Sequence, residues 1–234
     1  MAISFTAILG ALLAIRTDEL YPAPIAPRGG TPVRDGLRFV RSSRTLSAAF
    51  VVFAIVSTFG FNYNVALPKL ADERWGSDRY FGWVLAVSSI GSVIGSLLTA
   101  GRRPVTMRWY AGMIGLLGVS GVALAWAPNA AVAMLLGVPL GLGGAGMVTS
   151  MNAISQSECP PEMRGRILAL TAVAFLGSTP IGGPITGFVG DAVGAEWSLA
   201  YGSLISLAAL VGMVWWALGR YPDQSRITAA RTLI

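Results

Sequence analysis

An all-α, polytopic membrane protein is the fold class this sequence predicts, and three observations predict it. Of 234 residues, 54% are hydrophobic and only 12% charged, with a mean hydropathy of +0.64, which is more apolar surface than one soluble core can hide. The apolar residues gather in uninterrupted stretches long enough to cross a hydrocarbon core. The basic residues gather in alternate connections between those stretches, as topology signals do.

The chain opens "MAISFTAILGALLAIRTDELYPAP". Its uncharged run from Ala2 to Ile15 falls short of the roughly 20 residues a spanning helix needs, and nothing basic precedes Ile3 as a secretory leader would require. Residues 1–15 therefore read as neither a complete span nor a leader. Residues 16–46 are the one long connection. Its first part, "YPAPIAPRGGTP", cannot form a continuous helix. In "TPVRDGLRFVRSSRTL", Thr31 can cap a helix and Pro32 suits its first position. Helical spacing then sets Arg34, Arg38 and Arg41 in one stripe beside Val33, Leu37 and Val40. Two readings stand: a helix lying on the membrane surface, or a solvated basic linker, with Gly36 counting against the helix. Six full spans follow, over 47–68, 80–100, 105–126, 130–154, 166–190 and 197–218. They make a bundle of residues 47–219, ahead of a tail, 220–234.

Orientation follows from the cations. Arg16, Arg28, Arg34, Arg38, Arg41 and Arg44 precede the first span; Arg102, Arg103 and Arg108 follow the second; Arg164 and Arg166 follow the fourth; Arg220, Arg226 and Arg231 follow the last. The opposite connections hold only Lys69, Arg74 and Arg79, offset by Asp72, Glu73 and Asp78. Fourteen of the seventeen basic residues thus share one side, which the positive-inside bias makes cytoplasmic, with the C-terminus there and the protein in the cell membrane.

Several classes are excluded or weakened. With no histidine and one cysteine, Cys159, neither a disulfide framework nor the usual zinc or Ser-His-Asp sites can be assembled, so no cofactor, metal or enzymatic role is expected. The net charge of +6 does not imply nucleic acid, because the arginines lie between apolar runs rather than in basic patches interleaved with aromatics. No acidic or basic residue falls well inside a span, so a membrane-buried proton relay lacks its carboxylate. The polar candidates are neutral: Ser57, Thr58, Asn62 and Asn64; Ser178 and Thr179; and Thr149, Ser150, Asn152 and Gln156. Of these, Ser57, Asn62, Asn64, Ser178 and Thr179 are the expected substrate contacts. Asn62 and Asn64 lie roughly 200° apart on a helix, so at most one lines a substrate path.

Glycine spacing points to helix packing. Gly91 and Gly95 form a G-x-x-x-G flanked by Ser88, Ser92 and Ser96; Gly137 and Gly141 form another; Gly112, Gly115, Gly118 and Gly121 recur every three residues. Small residues on one face let backbones approach closely in lipid. The stretch "FLGSTPIGGPITGFVGD" is different. Gly177, Pro180, Gly182, Gly183, Pro184 and Gly187 require the fifth span to kink or loosen, and such breaks occur both in simple bent helices and at transporter binding sites.

Two triplets of opposite orientation, together with "NYNVALPKLADERWGSDRYFGWVLAVSSIGSVIGSLLTAGRRP" and "NAISQSECPPEMRGRILALTAVAFLGSTPIGGPITGFVGD", resemble one half of a major facilitator superfamily transporter, in the branch of enterobactin-exporter-like permeases. The resemblance implies a six-helix half-bundle with an inverted three-plus-three repeat, preceded by a partial helix and a cytoplasmic linker. Residues 1–15 would be the end of a sixth helix and 16–46 the central loop. Gly95, Gly101, Arg102 and Arg103 match a loop similar to the superfamily's G-x-x-x-D-[RK]-x-G-R-[RK] latch, with Thr99 where the acid is expected. Arg102 and Arg103 would then bind helix ends or Glu158 and Glu162, or serve only as topology signals, and Arg164 and Arg166 carry the same two readings. Together with Pro180, Gly183 and Pro184 they are the expected gating positions. The resemblance implies export of small molecules such as siderophores or drugs by alternating access. Its partners are the substrate, the lipid bilayer and an N-terminal half if separately encoded; nucleic acid is not among them. The rival reading is a non-transporting subunit that keeps the bundle for its packing.

Overall fold

The computed structural model describes Thr6, Gly10, Ala14 and residues 32–218. Most of the expected partial helix, the proline-rich connection up to Thr31 and the tail from Arg220 lie outside the described residues. Thr6 and Gly10 are helical, and Ala14 N–H donates to the Gly10 carbonyl at 3.0 Å. They belong to a unit, Met1–Gly30, distinct from Thr31–Ile234, which holds everything that follows.

Among the described residues nine helices follow one another, and no strand occurs: α1 (Pro32–Ser42), α2 (Arg44–Phe59), α3 (Tyr63–Trp75), α4 (Arg79–Ala100), α5 (Met107–Ala125), α6 (Ala130–Glu158), α7 (Pro161–Leu176), α8 (Thr179–Val193) and α9 (Ala195–Leu218). Six spans are long and apolar enough to cross a membrane: Arg44–Trp75, Arg79–Ala100, Met107–Ala125, Ala130–Glu158, Pro161–Val193 and Ala195–Trp216. These are the six expected from sequence, with the largest extensions at two ends. The first runs to Trp75 rather than residue 68, so that Lys69, Asp72, Glu73 and Arg74 are helical, and the fifth begins at Pro161 rather than residue 166.

Polar caps start several helices where unpaired amides would be costly in lipid. Ser43 accepts from Leu46 N–H at 3.3 Å, Thr106 from Trp109 N–H at 3.3 Å, and Asn129 from Val132 N–H at 3.0 Å. The α4–α6 contact is the most extensive, followed by α5–α6 and α5–α9. A Cβ on Gly141 would fall on the Ser88 carbonyl, one on Gly91 on the Val138 carbonyl, and one on Gly95 on the Leu142 carbonyl. Gly115, Gly118 and Gly121 lie against Leu210, Leu207 and Ser203 of α9, whereas Gly112 meets nothing. The tyrosine of α5, Tyr110, is fully buried and donates its hydroxyl to the Ala49 carbonyl of α2 at 3.0 Å.

Two spans are broken. The fifth divides at Gly177 and Ser178, at the leading edge of its Gly/Pro stretch. Pro180 then sits in the first turn of α8, where its missing N–H is not needed, and Pro184 is carried inside that helix. The first span divides over Gly60, Phe61 and Asn62, where the sequence reading had one continuous helix. The cause is tertiary: a Cβ on Gly60 would meet Ser206 Oγ at 2.5 Å, and one on Gly202 would fall on the Phe59 carbonyl, so α9 approaches the backbone here.

Residues 32–42 form a helix, and Gly36 does not weaken it as expected. A Cβ on Gly36 would stand 2.8 Å from Leu170 Cδ1, so the glycine is where α7 approaches α1. The anticipated apolar stripe is divided. Val40 is 4% exposed, whereas Val33 and Leu37 are 67% and 46% exposed.

Candidate functional site

Two adjoining cavities run along one face of α6. Gly141, Gly144, Ala145, Val148, Thr149, Asn152 and Gln156 recur at helical spacing, so one stripe of a single helix serves both. The first cavity, about 290 Å³, adds Ser88, Ser92 and Ser96 from α4, Phe61 from the break in the first span, Tyr63 from α3, and Phe175 from the last turn of α7. The second, about 460 Å³, adds Phe53 of α2 and Leu168, Thr171, Ala172, Phe175 and Leu176 of α7 to Val148, Asn152 and Gln156. Val148 and Phe175 belong to both walls.

Aromatic rings organise this wall. Phe175 meets Phe61 edge-on at 5.1 Å and stacks with Phe53 at 6.1 Å, while Phe61 lies 5.9 Å from Tyr63. The serines differ in state. Ser92 Oγ donates to the Ser88 carbonyl at 2.9 Å and also lies 3.3 Å from the Gly141 carbonyl, which leaves its lone pairs as acceptors. Among the described residues no charged side chain lines either cavity. Such a surface offers aromatic contact and neutral hydrogen bonds.

None of the five expected substrate contacts lines these cavities. Asn62, Ser57 and Ser178 are buried, and Asn62 and Ser178 bond to backbone at the helix breaks. Asn62 Nδ2 donates to the Thr58 carbonyl at 2.5 Å and Ser178 Oγ to the Phe175 carbonyl at 2.6 Å, pairing carbonyls that an interrupted helix frees. Ser57 Oγ is buried and makes no hydrogen bond among the described residues. A Cβ on Gly182 would fall on the Thr58 carbonyl and Asn62 Nδ2, so the two breaks touch through α8. Asn64 and Thr179 are exposed, and Asn62 and Asn64 do occupy different faces. The cavity residues that the sequence reading did not nominate are Phe61, Tyr63, Ser88, Ser92, Ser96 and Phe175. The four-residue spacing of the serines carried the signal, which the neighbouring glycines masked.

The expected gating positions are scattered. Gly95 lies in the α4–α6 seam and Gly101 ends α4. The Arg102 guanidinium stacks 3.7 Å above the Trp109 ring, and Trp109 Nε1 donates at 3.0 Å to buried Thr99 Oγ1. Thr99, standing where the latch acid was expected, thus orients an aromatic platform for Arg102. Arg103 and Arg164 are exposed. Among the described residues neither Arg102 nor Arg103 pairs with Glu158 or Glu162, whereas Arg166 lies 3.6 Å from Asp35 of α1. Pro180 and Pro184 are exposed, and Gly183 meets nothing within 4 Å.

At the opposite end of the bundle, Lys69 of α3 donates to the Gly190 carbonyl at 2.9 Å and to Asp191 at 2.6 Å, tying together the far halves of both broken spans. Arg74 lies 3.6 Å from Glu196 and donates to the Ala125 carbonyl. Trp126 and Trp197 pack edge-on at 5.4 Å, as in the aromatic belts of membrane interfaces. Among the described residues no group of three or more His, Cys, Asp or Glu side chains is placed to hold a metal ion.

Comparison with known proteins gives the following. Residues 49–233 match the Major Facilitator Superfamily. The chain is 31% identical over 201 residues to the Multidrug resistance protein B homolog of Mycobacterium tuberculosis, a match covering 81% of this chain and 36% of that protein. It is 26% identical over 183 residues to the Multidrug efflux pump Tap of Mycolicibacterium fortuitum, covering 77% of this chain and 44% of that protein. The chain therefore spans less than half the length of these curated relatives.

Proposed function

Because the chain belongs to the major facilitator superfamily, a family of multi-pass membrane transporters and not of enzymes, we propose that its six spans form one bundle of a carrier exporting small molecules by alternating access. The observation that carries this reading is the pair of uncharged, aromatic-walled cavities along α6. The substrates are amphipathic molecules of drug or siderophore type, held by Phe61, Phe175 and Tyr63 rings and by Ser92, Asn152 and Gln156. The relatives' names, multidrug resistance and multidrug efflux, support the drug class; the quoted "NAISQSECPPEMRGRILAL" stretch supports the siderophore-exporter branch. An N-terminal bundle faces these cavities and supplies the carboxylates for any proton coupling, since the lining here has none.

The arginine-rich end, with Arg102, Arg103, Arg164 and Arg166, is the cytoplasmic one in this reading. Arg102 on its Trp109 platform and Arg166 with Asp35 hold that end together as the bundles rock, while Pro180, Gly183 and Pro184 give α8 its freedom. The test is drug efflux from proteoliposomes. The chain alone should give no export above empty vesicles. Combined with an N-terminal six-span bundle, it should give saturable export that Phe175→Ala lowers roughly tenfold, the loss expected from one buried ring contact. Export by the chain alone would overturn the two-bundle reading. A stable complex of both bundles without export would favour a non-transporting subunit.

A further inference from the structure

We propose that α1 is a docking site for anionic phospholipid, a strap at the membrane surface that grips the bundle with one face and lipid headgroups with another. Successive helical residues turn by roughly 100°, which sets residues 33–41 of α1 in three arcs. One arc, Asp35, Gly36, Phe39 and Val40, faces the bundle: Asp35 lies 3.6 Å from Arg166, Gly36 receives Leu170, and the Val40 carbonyl accepts from Ser47 Oγ at 2.6 Å. The next arc is Val33 and Leu37, both apolar and both exposed. The third is Arg34, Arg38 and Arg41, all exposed. Among the described residues their guanidinium groups have no acidic partner, Asp35 being turned toward Arg166.

Position and charge select the occupant. Ser43 alone separates α1 from Arg44, where the first span begins, and α1 packs on the opening turns of α7, where the fifth begins. The helix therefore lies where two spans leave the hydrocarbon. An apolar edge running directly beside a cationic edge matches the boundary between acyl chains and headgroups, where Val33 and Leu37 enter the one and the arginines meet the other. A soluble acidic peptide would use the cations and leave the apolar edge in water.

Hydrogen exchange of the whole chain in nanodiscs tests this. Moving from phosphatidylcholine alone to phosphatidylcholine mixed with phosphatidylglycerol should slow exchange across α1, and raised salt should reverse the effect. Arg34→Gln, Arg38→Gln and Arg41→Gln should each weaken the lipid effect about fivefold, the scale for one basic residue at an anionic surface, and leave exchange in α4 to α6 unchanged. Equal α1 exchange in the two lipids would overturn the proposal, as would full retention of the lipid effect in the triple variant. Protection by soluble glycerol phosphate in detergent would point to a free phosphate site instead. Protection that rises with protein concentration in detergent would point to a second copy of this chain. Either result overturns the lipid assignment.

Discussion

The α4–α6 seam and the broken span α7/α8 use the same residue for opposite ends. In the seam, Gly91, Gly95 and Gly141 each leave room for a carbonyl of the facing helix, and both helices run unbroken for 22 and 29 residues. In α8, Gly183 and Gly187 meet nothing within 4 Å, and Gly177 meets only its own helix. Gly182 receives the Thr58 carbonyl with Asn62, and Gly190 near the far end receives Ser198 and Lys69. Glycine thus locks two straight helices in one region and relaxes a bent one in the other. What separates the two roles is the atom a Cβ would strike, not the glycine count or spacing.

The contrast can be broken most directly at the seam. Gly141→Leu should cost about 3 kcal/mol or more through overpacking and abolish monodisperse protein in detergent, read as loss of a cooperative thermal transition. Gly183→Ala, with open space around it, should be neutral or stabilise by up to about 1 kcal/mol. If the two variants melt alike, the distinction between locking and loosening glycines is void.

The break in the first span offers a sharper version. Asn62→Leu should destabilise by about 1–3 kcal/mol, because the Thr58 carbonyl is left without its side-chain donor in a buried setting, whereas Asn64→Leu on the exposed face should change the melting point little. A smaller effect concerns chemistry rather than stability. Burial pushes the Cys159 thiol above its usual pKa, the neighbouring Glu158 charge adds to this, and Arg164 opposes it. A raised pKa keeps the neutral thiol, so Cys159 should react slowly with an impermeant maleimide near neutral pH and faster as the pH rises beyond the ordinary thiol range. That slow background suits topology mapping. Asp72→Cys and Arg103→Cys should label from opposite faces of the membrane, and labelling from the same face would remove the basis for the arginine-rich end being cytoplasmic.

The six spans were legible because crossing a bilayer imposes length and composition on every segment alike. The break in the fifth span was legible too, since proline and glycine write it locally, and it falls at Gly177, the first of those residues, and Ser178. The break over Gly60, Phe61 and Asn62 was not. It depends on Gly202 and Ser206 of α9, more than a hundred residues away, and no local pattern carries such a contact. The same holds for Gly36, whose cost to an isolated helix is plain from sequence but whose fit against Leu170 is not. At the cavities, polarity alone drew attention to Asn62 and Ser178, which pair with backbone at the breaks. The rings of Phe61 and Phe175 read as ordinary apolar residues until the fold set them edge to edge.

Phe175 stands two residues before the fifth span divides, and it is a partition shared by two chambers. Its ring belongs to both walls and sits beside the joint at Gly177 and Ser178, so a smaller side chain there would open one wall common to both compartments.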